Sequence, residues 1–126
     1  MGLMDKMKTG AKNFDNRLGQ SVDSAKYDSK ISDQKNIKNK SLKEAGEKLF
    51  EGFMAGNAAV TDEIKALLEK AKACDEEIAK LEKEKEEMIA ANKAERQANR
   101  DDLAAKEEAD RKAREEAKAA EEEKIE

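Results

Sequence analysis

The chain has 126 residues; 44% are Asp, Glu, Lys or Arg, 3% are aromatic, none is proline or histidine, and the formal net charge is −4. So little apolar mass excludes a globule with a large core, and one cysteine without histidine excludes an internal disulfide or a Cys/His zinc site within one chain. Abundant Ala, Glu and Lys without proline favour long helices, so the predicted class is all-α: an elongated antiparallel helical hairpin or coiled coil, with an N-terminal amphipathic helix and a long charged C-terminal helix.

Charge divides along the chain. Residues 1–40 carry 9 Lys/Arg against 5 Asp, net +4, and residues 41–126 carry 17 against 25, net −8. An acidic shaft lacks the clustered cations that phosphate neutralisation needs, so nucleic acid is not an expected partner. No apolar run approaches the length of a bilayer span, and the opening residues lack the apolar core of a signal peptide. The expected place is the cytoplasm, with the inner face of the membrane as the alternative. Met1-Gly2 opens a myristoylation pattern, but Lys6 stands where that pattern needs Ser or Thr.

Residues 1–28 form the first expected segment. Leu3, Met4, Met7, Ala11, Phe14, Leu18, Val22 and Ala25 fall on one helical face, with Lys6, Lys8, Lys12 and Arg17 elsewhere on the wheel. Leu3, Met4, Met7, Phe14 and Leu18 are the candidate membrane face, since a basic amphipathic helix with Phe and Met can lie in a lipid interface. Gly10 and Gly19 weaken the helix, and Asp5, Asp15 and Asp23 dilute its charge. The competing reading packs this face on the protein's own hairpin or on a second copy, or leaves the helix mobile.

Residues 29–40 are rich in Ser, Asn, Asp and Lys, whose short polar side chains compete with helical hydrogen bonds, and a hinge or weak helix is expected there. Residues 41–92 are the expected αα-hairpin. Ser41 is placed as a cap, and Leu42, Leu49, Phe50 and Phe53 form the apolar face of the first arm. Gly56-Asn57 supplies the break, and Thr61 with Asp62 and Glu63 begins the second arm.

That second arm carries the clearest pattern in the chain. Val60, Ile64, Leu67, Ala71, Cys74, Ile78, Leu81, Lys85, Met88 and Asn92 keep a heptad register without a skip. The stripe is too long for residues 41–55 to cover. Either the first forty residues fold back on it in a three-helix arrangement, or a second chain covers it. Lys85 and Asn92 are polar seam positions of the kind that set register. Cys74, inward and flanked by charge, reads as a small buried hydrophobe, with a reactive thiol or a cross-chain disulfide in a parallel dimer as the alternatives.

Beyond Asn92 the seam thins to alanines interrupted by Leu103, and residues 93–126 are expected to be a solvated single helix. It is held by acid-to-base pairs four residues apart: Asp102 with Lys106, Glu107 with Arg111, Glu108 with Lys112 and Asp110 with Arg114. No phosphate loop, calcium loop or nucleophile elbow occurs, and no segment can wall off a pocket for paired carboxylates. No enzyme, cofactor, metal or small-molecule substrate is expected.

The run Glu44-Ala45-Gly46-Glu47-Lys48-Leu49-Phe50-Glu51, followed by the heptads of Ile64 to Glu87 with Glu76-Glu77-Ile78-Ala79-Lys80-Leu81-Glu82, resembles the helical-hairpin region of small bacterial proteins that join a coiled coil to a C-terminal zinc ribbon. The likeness covers about the middle third of the chain. It implies a bacterial helical hairpin and no activity, and the sequence departs from it where paired Cys-x-x-Cys motifs would stand, having an Ala/Glu/Lys tail instead. The leading expectation is a non-enzymatic interaction or scaffold protein that self-associates or docks a protein partner along the seam Val60, Ile64, Leu67, Ala71, Cys74, Ile78, Leu81 and Met88. The alternative is a peripheral membrane protein held by its first helix.

Overall fold

A computed structural model describes residues 2–57 and 59–125; Met1, Ala58 and Glu126, which the expected segments include, lie outside the described residues. The protein is all-α. Helix α1 spans Gly2–Met54, helix α2 spans Asp62–Ile125, and the two pack against each other as a hairpin. Residues 29–40, where a hinge or weak helix is expected, are a continuous part of α1, so residues 2–40 and residues 41–54 lie on one helix rather than on two. Their polar side chains stay in water or pair with α2, as Lys38 does with Asp75 at 2.7 Å, so they do not compete for the backbone.

The turn between the helices follows from two residues read in the sequence. Gly56 has φ +80°, the left-handed conformation that ends a helix, and around it the Gly56 N–H donates to the Phe53 carbonyl at 3.1 Å and the Asn57 N–H to the Gly52 carbonyl at 2.7 Å. This pair of bonds is the Schellman closure. Gly52 is required as well, since a Cβ there would stand 2.6 Å from the Asn57 carbonyl oxygen. Thr61 then caps α2: its Oγ1 accepts from the Ile64 N–H at 3.2 Å, with Asp62 and Glu63 in the first turn beside the positive end of the helix dipole. Ser41, by contrast, caps nothing. It is buried inside α1, its hydroxyl donating to the Ile37 carbonyl at 2.9 Å.

The chain divides into two compact units, Val22–Met88 and Met1–Ser21 with Ile89–Glu126, here called the turn unit and the terminal unit. In the turn unit the helices run antiparallel: Asp28 meets Lys85 at 2.6 Å, Lys38 meets Asp75 at 2.7 Å, and Lys48 meets Glu63 at 2.7 Å. Its apolar core is Ile31, Ala45, Ile64, Ala71, Cys74, Ile78 and Leu81, with Tyr27 packed on the Ile31–Ile78–Leu81 cluster. The seam of α2 is therefore covered by α1 of the same chain from Ile64 to Leu81. Leu67 and Met88 are half-buried, whereas Val60 precedes α2 and is exposed.

The α1 side of this core is not the one the apolar residues suggested. Leu42 and Leu49 are each 41% exposed, Phe50 63% and Phe53 67%, so the predicted hairpin-packing residues lie outside or at the rim. The inward positions are Ile31, Lys38, Ser41, Ala45, Lys48 and Gly52, spaced as heptads. Small buried residues at Ser41 and Ala45 leave room that the larger α2 side chains fill.

In the terminal unit the pairing is again antiparallel, from Asn16 with Arg96 through Asn13 with Asn99 to Lys6 with Glu107. Residues 93 to about 107 are thus not the solvated single helix expected of them. From Arg111 to Lys124 α2 continues with every residue exposed. Two of the anticipated side-chain pairs form, Asp102 with Lys106 at 3.4 Å and Asp110 with Arg114 at 3.7 Å, while Arg111 pairs with Glu108 at 2.9 Å.

Candidate functional site

The terminal unit inverts the usual arrangement of an amphipathic helix. Thr9, Asn13, Asn16 and Gln20 of α1 are the residues turned toward α2, and a ladder of hydrogen bonds joins the last three to it. The Arg96 guanidinium donates to Asn16 Oδ1 and to Gln20 Oε1, both at 2.7 Å. Asn16 Nδ2 in turn donates to Asn92 Oδ1 at 3.2 Å and to Glu95 Oε2 at 2.9 Å. Asn99 Nδ2 donates to Asn13 Oδ1 at 3.0 Å, and Asn13 Nδ2 to the Arg96 carbonyl at 3.3 Å. Asn92, an inward polar position of the heptad register, accepts a bond from α1 of the same chain.

With polar groups inside, the apolar residues face out. Leu3 is 75% exposed, Phe14 62% and Leu18 51%, and Met4 and Met7 are equally open. At about 100° per residue these five form one stripe on the side of α1 opposite α2. All five candidate membrane-face residues are therefore brought together on one free surface. The reading that packs them on the protein's own hairpin is corrected, because the ladder holds that position.

The seam residues have a different fate. Ile64, Ala71, Cys74, Ile78 and Leu81 are buried, and the Cys74 thiol is free and enclosed. Lys85, the polar seam position before Met88, is neutralised by Asp28. What the sequence did not single out is Arg96, which carries the ladder; its signal is an Asn92-x-x-x-Arg96-x-x-Asn99 spacing that continues the inward register in polar form.

Among the described residues no helix is long and apolar enough to cross a membrane. Compared with known proteins, the chain matches no family model, no curated protein and no solved structure. The likeness to hairpins that carry a zinc ribbon rests on the sequence run alone.

Proposed function

We propose that this protein is a non-enzymatic hairpin that docks on a membrane surface through Leu3, Met4, Met7, Phe14 and Leu18. One observation carries the reading: a five-residue apolar stripe stands in water on a helix whose other side is already occupied by hydrogen-bonded polar groups. Fully burying a Leu, Met or Phe side chain is worth about 1.5–3 kcal/mol, so partial insertion of five of them outweighs the loss of orientational freedom on docking. A contiguous exposed apolar face of this kind marks an interaction site. The hairpin then serves as the carrier that holds the stripe, and the inner face of the membrane is its place of action.

The experiment is flotation of the full chain with lipid vesicles, native against a Phe14→Ser, Leu18→Ser variant. Native protein rises with the vesicles and the variant stays behind, with equal helicity by circular dichroism. Native protein that remains at the bottom of the gradient removes the proposal.

A second reading keeps the protein-docking role. Leu42, Leu49, Phe50, Phe53 and Leu68 are exposed in the turn unit, and a protein partner or a second copy would cover them while α1 keeps the seam. Sedimentation separates this reading from the first, because it requires a self-associated or partner-bound species without lipid.

A further inference from the structure

Resting on the membrane reading above, we infer that the surface taken by the terminal unit is anionic lipid, bound with the acidic side of the helix pair turned to water. The stripe is bordered by cations on both edges. At about 100° per residue, Arg17 borders one edge of it and Lys8 the other, while Lys6 and Lys12 stand further round toward α2 and reach the surface only through their long stems, as basic side chains do when they meet headgroup phosphates beside inserted apolar neighbours.

Acids oppose these cations. Asp15 lies on the Lys8 edge, Asp5 and the α2 residue Asp102 share a small cleft of about 60 Å³ with Lys8, Lys12 and Lys106, and Lys6 pairs with Glu107 at 3.5 Å. The balance still favours an anionic surface. Met1–Ser21 carries 4 Lys/Arg against 2 Asp, net +2, whereas Ile89–Glu126 carries 9 against 12, net −3. Since α2 packs on the side of α1 away from the stripe, the positive segment meets the lipid and the negative segment is held beyond it. The Lys6–Glu107 pair is no obstacle, since its side chains are 61% and 43% exposed and such pairs are weak in water. The ladder through Arg96 satisfies the inward face, so docking requires no opening of the helix pair.

The test uses the full chain with vesicles of phosphatidylcholine alone and of phosphatidylcholine mixed with phosphatidylglycerol. Each cation at an anionic surface is worth about fivefold in binding, so the expected preference for the mixed vesicles is about tenfold or more, and it shrinks as salt is added. A variant with Lys6, Lys8, Lys12 and Arg17 all changed to Gln loses that preference and keeps the residual binding to phosphatidylcholine. Equal binding of native protein to both vesicles overturns the anionic inference and leaves membrane docking standing. Binding to neither overturns both. A preference that survives in the variant also overturns it, because the charge would then lie elsewhere.

Discussion

The two units of this hairpin solve the same pairing problem with opposite chemistry. In the turn unit Ile31, Ala45, Ile64, Ala71, Cys74, Ile78 and Leu81 lie between the helices. In the terminal unit Asn13, Asn16, Gln20, Asn92, Arg96 and Asn99 lie between them, and Leu3, Met4, Met7, Phe14 and Leu18 lie outside. A hydrogen bond exchanged for one to water contributes only about 0.5–1.5 kcal/mol net, so the terminal ladder fixes register more than it supplies cohesion. Apolar burial does the opposite. The turn unit carries the stability, and the terminal unit keeps its apolar residues available for something else.

The largest effect that tests this contrast is at the turn-unit core. Leu81→Ala removes a side chain that is 6% exposed and packed with Ile31 and Ile78, at an expected cost of about 2–4 kcal/mol in urea unfolding followed by circular dichroism. A cost below about 0.5 kcal/mol would place the cohesion of the hairpin outside this cluster. The reciprocal change makes the terminal unit resemble the turn unit. Replacing Asn13, Asn16, Gln20, Asn92, Arg96 and Asn99 together with Leu removes both partners of the ladder's main bonds at once and leaves only the exposed Glu95 carboxylate to water, and about 1–3 kcal/mol of added stability is expected. Arg96→Leu alone should instead destabilise by about 1 kcal/mol, because Asn16 Oδ1 and Gln20 Oε1 lose their donor.

Smaller effects belong to the turn. Gly52→Ala forces its Cβ against the Asn57 carbonyl, a backbone atom that cannot swing away, and about 1–2 kcal/mol is the expected loss of stability. Thr61→Ala removes the oxygen that accepts from Ile64 and should cost about 1 kcal/mol. Both act on the turn unit and should leave vesicle binding by the terminal unit unchanged. A loss of flotation in either variant would mean that the docking face depends on the turn.

Much of the fold could be read from α2 and far less from α1, for a physical reason. The α2 seam from Ile64 to Leu81 uses large apolar side chains, so its period is plain, and the Gly56 break and the Thr61 cap are set by backbone needs that few residues meet. On α1 the inward face reads Ser24, Tyr27, Ile31, Gln34, Lys38, Ser41, Ala45, Lys48 and Gly52, regular at three and four but mostly small or polar. Apolar periodicity on α1 therefore marks residues that point away from α2, among them Phe50 and Phe53. The same periodicity marks the outward stripe at Leu3 to Leu18, and there the apolar face is the one left free. Matching α1 against the known register of α2, rather than reading it alone, is what would reveal its packing face.

The mildest effect concerns the ion pair closest to the turn. The Lys48 ammonium donates to Glu63 at 2.7 Å; that hydrogen bond, and then the charge of the same carboxylate, hold its pKa above the ordinary 10.5, against a small opposing pull from lost hydration and with minor help from Glu51 and Glu44. A raised pKa means that folding favours the charged form. The contribution is therefore whole below 10.5 and disappears as pH climbs through the raised value. Comparing the melting temperatures of native protein and Lys48→Gln from neutral to strongly alkaline pH isolates this pair, since the two proteins differ at no other residue. The gap should be small, widest near neutrality, and closed once Lys48 is deprotonated. A gap that persists unchanged at high pH would assign the effect to packing of the lysine stem on Glu63's helix, and the ion pairs along the turn unit would then count as register markers like the ladder of the terminal unit.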